Sequence, residues 1–335
     1  MSDEWGFPIT YSIYPNRVLE FSPAANTDDR RDCRPLSLIP YPSSLVSISG
    51  LLNVDKPPGL TSRDAVDLVQ RLAHPAKVGH AGTLDPLATG VLVICVGAAT
   101  RLIEYVQRMP KRYAATFLLG RSSTTEDTDG AVTLLSQPPI PAPAQIEAAG
   151  AKLVGCLLQR PPAFSALKIA GQRAYDLARR GEAVELKPRP IEVYALKVVR
   201  YDYPELVLEV ECSGGTYVRS LGRDLAESLG TAAAMSALVR TAIGPWTVAA
   251  AVDPRTLAAT DWQARLEPLR KALSALAVHE LTTGELERVR RGLFIPISAG
   301  GDSREIAAVD ARGQLVAILV PRGPGQWGAA KNFSP

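Results

Sequence analysis

Gly79-His-Ala-Gly-Thr-Leu-Asp-Pro-Leu-Ala-Thr-Gly90 runs directly into Val91-Leu-Val-Ile-Cys-Val96. A stretch punctuated by three glycines and a proline that empties into six consecutive apolar residues reads as a structured loop feeding a buried strand. Loops that enter a core strand are common platforms for chemistry. Upstream, Gly50-Leu-Leu-Asn-Val-Asp55 reads as a short apolar strand leading into the turn Lys56-Pro-Pro-Gly59. Thr61 or Ser62 then caps a helix whose buried stripe is Ala65, Val66, Val69 and Leu72. Downstream the pattern gives a helix near Thr100–Gln107, a strand over Arg112–Leu119, a polar loop over Ser122–Gly130, a connector over Gln137–Pro143 and a helix over Ala144–Leu153. The runs Glu192–Tyr201 and Leu206–Cys212, interrupted at Pro204, predict a hairpin with a longer loop. After Gly214-Gly215, Thr216 is placed to cap a helix with the stripe Val218, Leu221, Leu225 and Leu229. Strands and helices interleave without a regular βαβ repeat, which favours an α+β class over a doubly wound sheet.

The two ends of the chain differ in texture from this middle. Residues 1–47 mix Pro, Ser, Asn and charges with no sustained period, as expected of a poorly ordered extension. Beyond Trp262, a short helix near Thr283–Arg291 and strands over Glu305–Val309 and Gln314–Pro321, joined at Ala311-Arg-Gly313, suggest a small second domain. The chain is thus divided into an extension (1–47), a main domain (48–262) and a tail domain (268–333). At 335 residues, 46% hydrophobic and 21% charged, it falls in the globular range, and no run approaches the roughly 18 apolar residues of a membrane helix. A cytoplasmic, soluble protein is expected. Cys33, Cys95, Cys156 and Cys212 are scattered without a CxxC pair and only three histidines are present, so no zinc site and no disulfide framework is expected. The net charge of +3 names no partner, but Arg160 to Arg200 holds nine Lys/Arg against four Asp/Glu, a basic stretch compatible with phosphate contacts.

Taken singly, the chemically capable residues say little. Asp85 before Pro86 is the pattern of a turn residue bonding its own backbone. A lone His80 is more often a loop or core histidine, Tyr113 at the head of a strand and Leu238 are more often core, and an arginine such as Arg219 beside Tyr217 at a helix start is more often solvated. Gly79-x-x-Gly82 lacks the third glycine and the βαβ setting of a dinucleotide loop, and no Walker lysine follows.

Taken together they form a pattern. Asp55-Lys-Pro-Pro-Gly-Leu-Thr-Ser62, the Gly79–Gly90 loop, Arg160-Pro-Pro-Ala-Phe-Ser-Ala-Leu-Lys168 with Tyr175-Asp-Leu-Ala-Arg179, and Cys212-Ser-Gly-Gly-Thr-Tyr-Val-Arg-Ser-Leu221 resemble, in order, the motifs of the TruB family. The resemblance spans about residues 50–250. It implies a pseudouridine synthase fold, a central mixed sheet with flanking helices, and a C-terminal tail similar to the small PUA-like β-barrel of bacterial members. It also implies an isomerase that turns the T-loop uridine of tRNA (position 55) into pseudouridine. Asp85 then matches the catalytic aspartate, Arg219 the arginine that pairs with it, and His80, Tyr113, Tyr217 and Leu238 the positions around the target nucleotide. Two departures stand out: Ser123-Thr-Thr125 replaces the usual Thr-Asp-Thr, and Val239 stands where a second basic residue is frequent.

That chemistry suits these residue types. The base must leave C1′ through N1, turn, and return through C5 with no net redox change, so neither cofactor nor metal is required. A carboxylate can stabilise or trap the electron-poor sugar, and a bidentate arginine can hold it charged and oriented. The target must flip out of a stack, whereupon Tyr113 can stack on it and His80 can fill the space it leaves. Tyr113 is also a candidate to accept the C5 proton. Arg173, Arg179 and Arg180 are expected to follow the RNA backbone. The expected partner is the T-arm of tRNA and the expected state a monomer. The alternatives are a guide-RNA-dependent relative, against which the absence of long basic tails speaks, and an RNA-folding chaperone, which would not require the Asp85–Arg219 pair.

Overall fold

A computed structural model describes residues 48–165, 168–169, 172–173, 180, 186–297 and 303–333. The expected N-terminal extension and Arg179 lie outside the described residues. Strand β1 (Gly50–Lys56) is followed by helix α1 (Ser62–Ala73). Thr61 is its cap: its hydroxyl accepts from the Asp64 amide while the Asp64 carboxylate accepts from the Thr61 amide. Ala65, Val66, Val69 and Ala73 face the core, and Leu72 is only partly buried. Strands β2 (Val78–His80) and β3 (Thr89–Val96) bracket the glycine-rich loop.

The chain between Gly97 and Arg108 is a 3₁₀ turn (Gly97–Leu102) that tightens into helix α2 (Ile103–Arg108). Strand β4 (Lys111–Leu119) alternates buried and partly exposed residues, the sign of a half-buried strand. The expected polar loop at Ser122–Gly130 is in part a ribbon. Strand β5 (Arg121–Ser123) pairs with β6 (Val132–Leu134), and the intervening turn lies beside Met235. Helix α3 (Pro143–Ala151) begins with proline at its first position. Then come β7 (Gly155–Gln159), the short strands β8 (Lys168–Ile169) and β9 (Gln172–Arg173), β10 (Arg189–Asp202) and β11 (Glu205–Cys212). The expected long hairpin loop is absent: Asp202 pairs with Glu205, so Tyr203-Pro204 alone makes the turn.

Helix α4 (Val218–Ser228) buries Val218, Leu221 and Leu225 as expected. Its cap is Tyr217 rather than Thr216, with no side-chain hydrogen bond, and Leu229 lies just past its end. Strand β12 (Ala233–Ile243) has no counterpart in the periodicity reading, nor does β13 (Trp246–Thr247). Both belong to a nine-stranded sheet of order β1-β3-β12-β4-β11-β10-β7, with β2 beside β3 and β13 beside β12. Only β3 and β12 run parallel; the other pairs are antiparallel. The mixed sheet with helices packed on it is the α+β class expected.

The tail carries β14 (Ala277–Glu280), helix α5 (Thr283–Arg290), β15 (Ile295–Pro296), β16 (Ile306–Val309), β17 (Leu315–Gly323) and β18 (Gln326–Asn332). They form a five-stranded sheet of order β14-β16-β17-β18-β15, in keeping with a PUA-like half-barrel. Its own core is built from Ile295, Ile306, Ala308, Ala317, Leu319 and Trp327. Ala307, Leu315 and Ile318 turn the other way, into a cluster with Leu102, Tyr105 and Trp246. Among the described residues no helix is long and apolar enough to cross a membrane. Burial pushes the Cys95 thiol up to about 12 and the Cys212 thiol to about 11, and both are free.

Candidate active site

Asp85 sits in the loop between β2 and β3, and almost every residue of that loop is tied to main chain or to a buried side chain. The Ala81 amide donates to Val93 O (2.9 Å) and the Ala88 amide to Asp85 O (3.1 Å). The Leu84 amide donates to Ser62 Oγ (2.8 Å), and that hydroxyl donates back to Leu84 O (3.0 Å). Beyond the aspartate, Pro86 O accepts from the Gly59 amide (3.0 Å) and from Lys56 Nζ (3.3 Å). Lys56 is fully buried and also donates to Leu60 O and Pro57 O, so the Lys56-Pro-Pro-Gly59 turn is stitched to the loop by a cation. Burial lowers the Lys56 ammonium to about 8, against the nearby charge of Asp85, which works to raise it.

At the loop's exit, Gly90 has φ +98, and a Cβ there would lie 2.3 Å from Arg240 O, so only glycine lets β3 approach β12 this closely. Arg240 is buried in β12. Its Nε donates to Val91 O (2.7 Å), Nη1 to Thr83 O (3.3 Å) and Nη2 to Gly82 O (3.1 Å).

Arg219, on the first turn of α4, is 5% exposed, and its Nε lies 2.9 Å from Asp85 Oδ2; the Asp85 side chain is 34% exposed. The carboxylate is therefore open to a ligand while its counter-charge is not. The bidentate fork expected of this pair is not formed. Nη1 donates to Thr125 O (2.7 Å) and Nη2 to Phe164 O (3.1 Å), because the guanidinium sits between three chain segments that each present an acceptor. Nη1 also lies 3.6 Å from Asp127 Oδ2, a buried second carboxylate. Asp127 accepts from Thr125 Oγ1 and from the Asp129 amide. Next to it, Glu126 adopts φ 64 and accepts from Ser220 Oγ (2.7 Å) and from Arg223, which ties the same turn to α4 beyond Arg219.

Tyr113 lies on β4 directly opposite Arg240 of β12, buried with Leu84 and Leu238 in one apolar cluster. Its pKa is raised, first by burial and also by the Asp85 and Cys212 charges, with Arg240 opposing. A buried phenol of that kind holds its proton at neutral pH. His80 ends β2; burial lowers its pKa, and its buried Nδ1 has no hydrogen-bond partner. Tyr217 is fixed through its main chain by Gln159, whose amide both accepts from Tyr217 N (2.9 Å) and donates to Tyr217 O (3.0 Å). The Arg189 guanidinium lies 4.8 Å from the Tyr217 ring centroid. Arg173 lies on β9, in a separate two-stranded ribbon with β8, and Arg180 is exposed in a turn.

The structure thus joins Asp85 to Arg219 and places Tyr113 and Leu238 in the same core as Leu84 and Ala88 of the Asp85 loop. Asp127, Ser62, Lys56, Gln159 and Arg240 carry comparable weight and were not singled out from the sequence. Asp127 lies two residues past Ser123-Thr-Thr125, where the sequence departs from the family pattern. Ser62 and Lys56 lie in the first motif, but nothing in a linear motif says which loop its residues will touch.

An arginine-paired aspartate thus stands on the loop that leads into a core strand of a mixed sheet. A chain of a solved Cbf5–Nop10–Gar1 complex shares this fold, with a TM-score of 0.66 at 23% identity over 87% of this chain and 86% of that one. Residues 70–218 match the model of the TruB family pseudouridylate synthase N-terminal domain. The tRNA pseudouridine synthase B of Thermobifida fusca is 44% identical over 284 residues, covering 82% of this chain and 94% of its own length. The protein of the same name from Arthrobacter is 41% identical over 290 residues, again 82% of this chain and 94% of its own. The chain belongs to the TruB family of pseudouridine synthases.

Proposed function

We propose that the protein isomerises the T-loop uridine of tRNA, position 55, to pseudouridine, with Asp85 acting at the ribose. The observation that carries this reading is an aspartate open to solvent on a loop otherwise fixed to main chain, its charge balanced by a buried arginine. The printed names of the relatives, tRNA pseudouridine synthase B, support tRNA as the RNA.

In the reaction the N1–C1′ bond breaks with its electron pair going to the base, and C1′ becomes electron-poor. The base turns, C5 bonds to C1′, the C5 proton leaves and N1 takes one up. A carboxylate at C1′ can add to the sugar or remove the 2′ proton, and both routes start from the same placement. Flipping brings the base onto Tyr113 above the apolar floor of Leu84 and Leu238, with Tyr217 alongside. His80 takes the vacated stack position. Arg173, Arg179 and Arg180 track the phosphates of the T-arm, and the tail domain (268–333) holds the rest of the RNA while residues 48–262 carry the chemistry.

The test is Asp85→Asn in the full chain. Pseudouridine formation in a single turnover should fall by about a thousandfold or more, while tRNA affinity is retained. Turnover within about tenfold of wild type would remove Asp85 from the reaction.

A further inference from the structure

Arg240 is a fully charged side chain with almost no solvent contact, set in the middle of the nine-stranded sheet at 2% exposure. Among the described residues it forms no salt bridge, so its burial is not compensated by a carboxylate. A buried cation that only had to fill space would be replaced at a gain by an apolar residue of similar volume. What compensates it instead is a set of main-chain carbonyls, and their location is specific. Gly82 O and Thr83 O lie three and two residues before Asp85, and Val91 O lies just after the loop rejoins the sheet. One guanidinium therefore spans the entrance and the exit of the catalytic loop. It stands directly opposite Tyr113 across the β4–β12 pair.

We propose that Arg240 is a positioning residue of the reaction, setting the Asp85 loop and the Tyr113 ring in one fixed relation. The inference rests on the reading of Asp85 as the catalytic group. Its planar fork matches three carbonyls at fixed directions, which lysine cannot do from a single ammonium. Ser62 holds the loop at Leu84, and Lys56 holds it at Pro86. Of these three side chains, Arg240 is the one carried on β12, the strand that pairs with β4 at Tyr113. A displacement of about 1 Å at a catalytic group costs on the order of a hundredfold in rate, so loss of this link appears in the chemical step.

The experiment compares Arg240→Lys and Arg240→Met with wild type in the full chain, at a temperature well below each melting transition. Single-turnover pseudouridine formation is measured at saturating tRNA, tRNA affinity by filter binding, and amide exchange across Gly82–Pro86 by mass spectrometry. Both variants should lose on the order of a hundredfold in rate with affinity within about threefold, and exchange should rise in the loop but not in β11. Free guanidinium ion should restore part of the rate of Arg240→Ala, which a purely structural role would not permit. A folded variant with near wild-type rate, a loss confined to affinity, or failure of both variants to fold would overturn the proposal. An inactive wild type would instead count against the assignment of the reaction itself.

Discussion

At the scale of single residues, the distribution of Arg219's bonds decides how the site responds to substitution. The guanidinium faces Asp85, Asp127, Thr125 O and Phe164 O. Lysine keeps the charge but can satisfy few of these directions at once. Arg219→Lys should therefore slow single-turnover chemistry by about a hundredfold or more and cost roughly 3 kcal/mol of stability, since a buried ionic network would be broken rather than replaced. Asp127→Asn keeps the shape and removes one charge, so its rate should fall less. Rate against tRNA affinity for both variants is the measurement; lost affinity at unchanged rate would make Arg219 a contact to RNA instead. Asp85 and Arg219 were legible in the sequence because each lies inside a contiguous motif. Asp127 was not, since its role depends on a turn that Glu126 ties to α4 and that lies beside Met235 in β12, contacts distant in sequence.

At the scale of elements, the missed strand and the tight helix share a cause. The sequence Ala-Ala-Met-Ser-Ala-Leu-Val-Arg-Thr-Ala-Ile of β12 is rich in helix formers and lacks clean alternation. It is extended because it lies between β3 and β4, where both edges find partners and its small side chains allow close packing. By contrast β4 and α1 were readable because burial on one face stamps a period on the sequence, and β3 because burial on both faces leaves an unbroken apolar run. Helix α4 is held against β4 by Gly222, where a Cβ would stand 2.0 Å from the Phe117 ring. In an exposed helix Gly→Ala stabilises by about 1 kcal/mol. Here the sign should reverse: Gly222→Ala pushes α4 off the sheet, and overpacking of this kind costs about 1–3 kcal/mol. Because Arg219 rides on the same helix, three residues earlier, the rate should fall along with the melting temperature. Thermal denaturation and single-turnover assays of Gly222→Ala read both, and a variant as stable as wild type would show that the helix can shift at no cost.

At the scale of the whole molecule, the two sheets meet at a seam that is apolar inside and polar at its rim. Ala272, Leu273, Ala307 and Ile318 from the C-terminal part pack with Leu102, Tyr105 and Val106. Around them Arg101 Nη1 donates to Asn332 O (2.5 Å), Lys331 Nζ to Arg101 O (2.8 Å), and Arg108 lies 3.6 Å from Glu305. The bond that matters most is the one least exposed: the Tyr105 hydroxyl, on a residue 6% exposed, donates to Glu305 Oε1 at 2.8 Å. Surface ion pairs such as Arg108–Glu305 contribute up to about 1 kcal/mol, but a buried hydroxyl stripped of its acceptor costs about 1–3 kcal/mol. Glu305→Ala should therefore destabilise the protein by that larger amount. Tyr105→Phe, which removes the donor, should cost less, and the double variant should be more stable than Glu305→Ala alone. Since the seam fixes the tail rather than the Asp85 loop, Glu305→Ala should weaken tRNA binding while leaving the single-turnover rate at saturating RNA within about threefold of wild type. Denaturant melts of the four proteins with parallel binding and rate measurements test this. Additive losses would show that the hydroxyl and carboxylate are not coupled, and a rate that fell with the binding would mean that the tail shapes the catalytic loop after all.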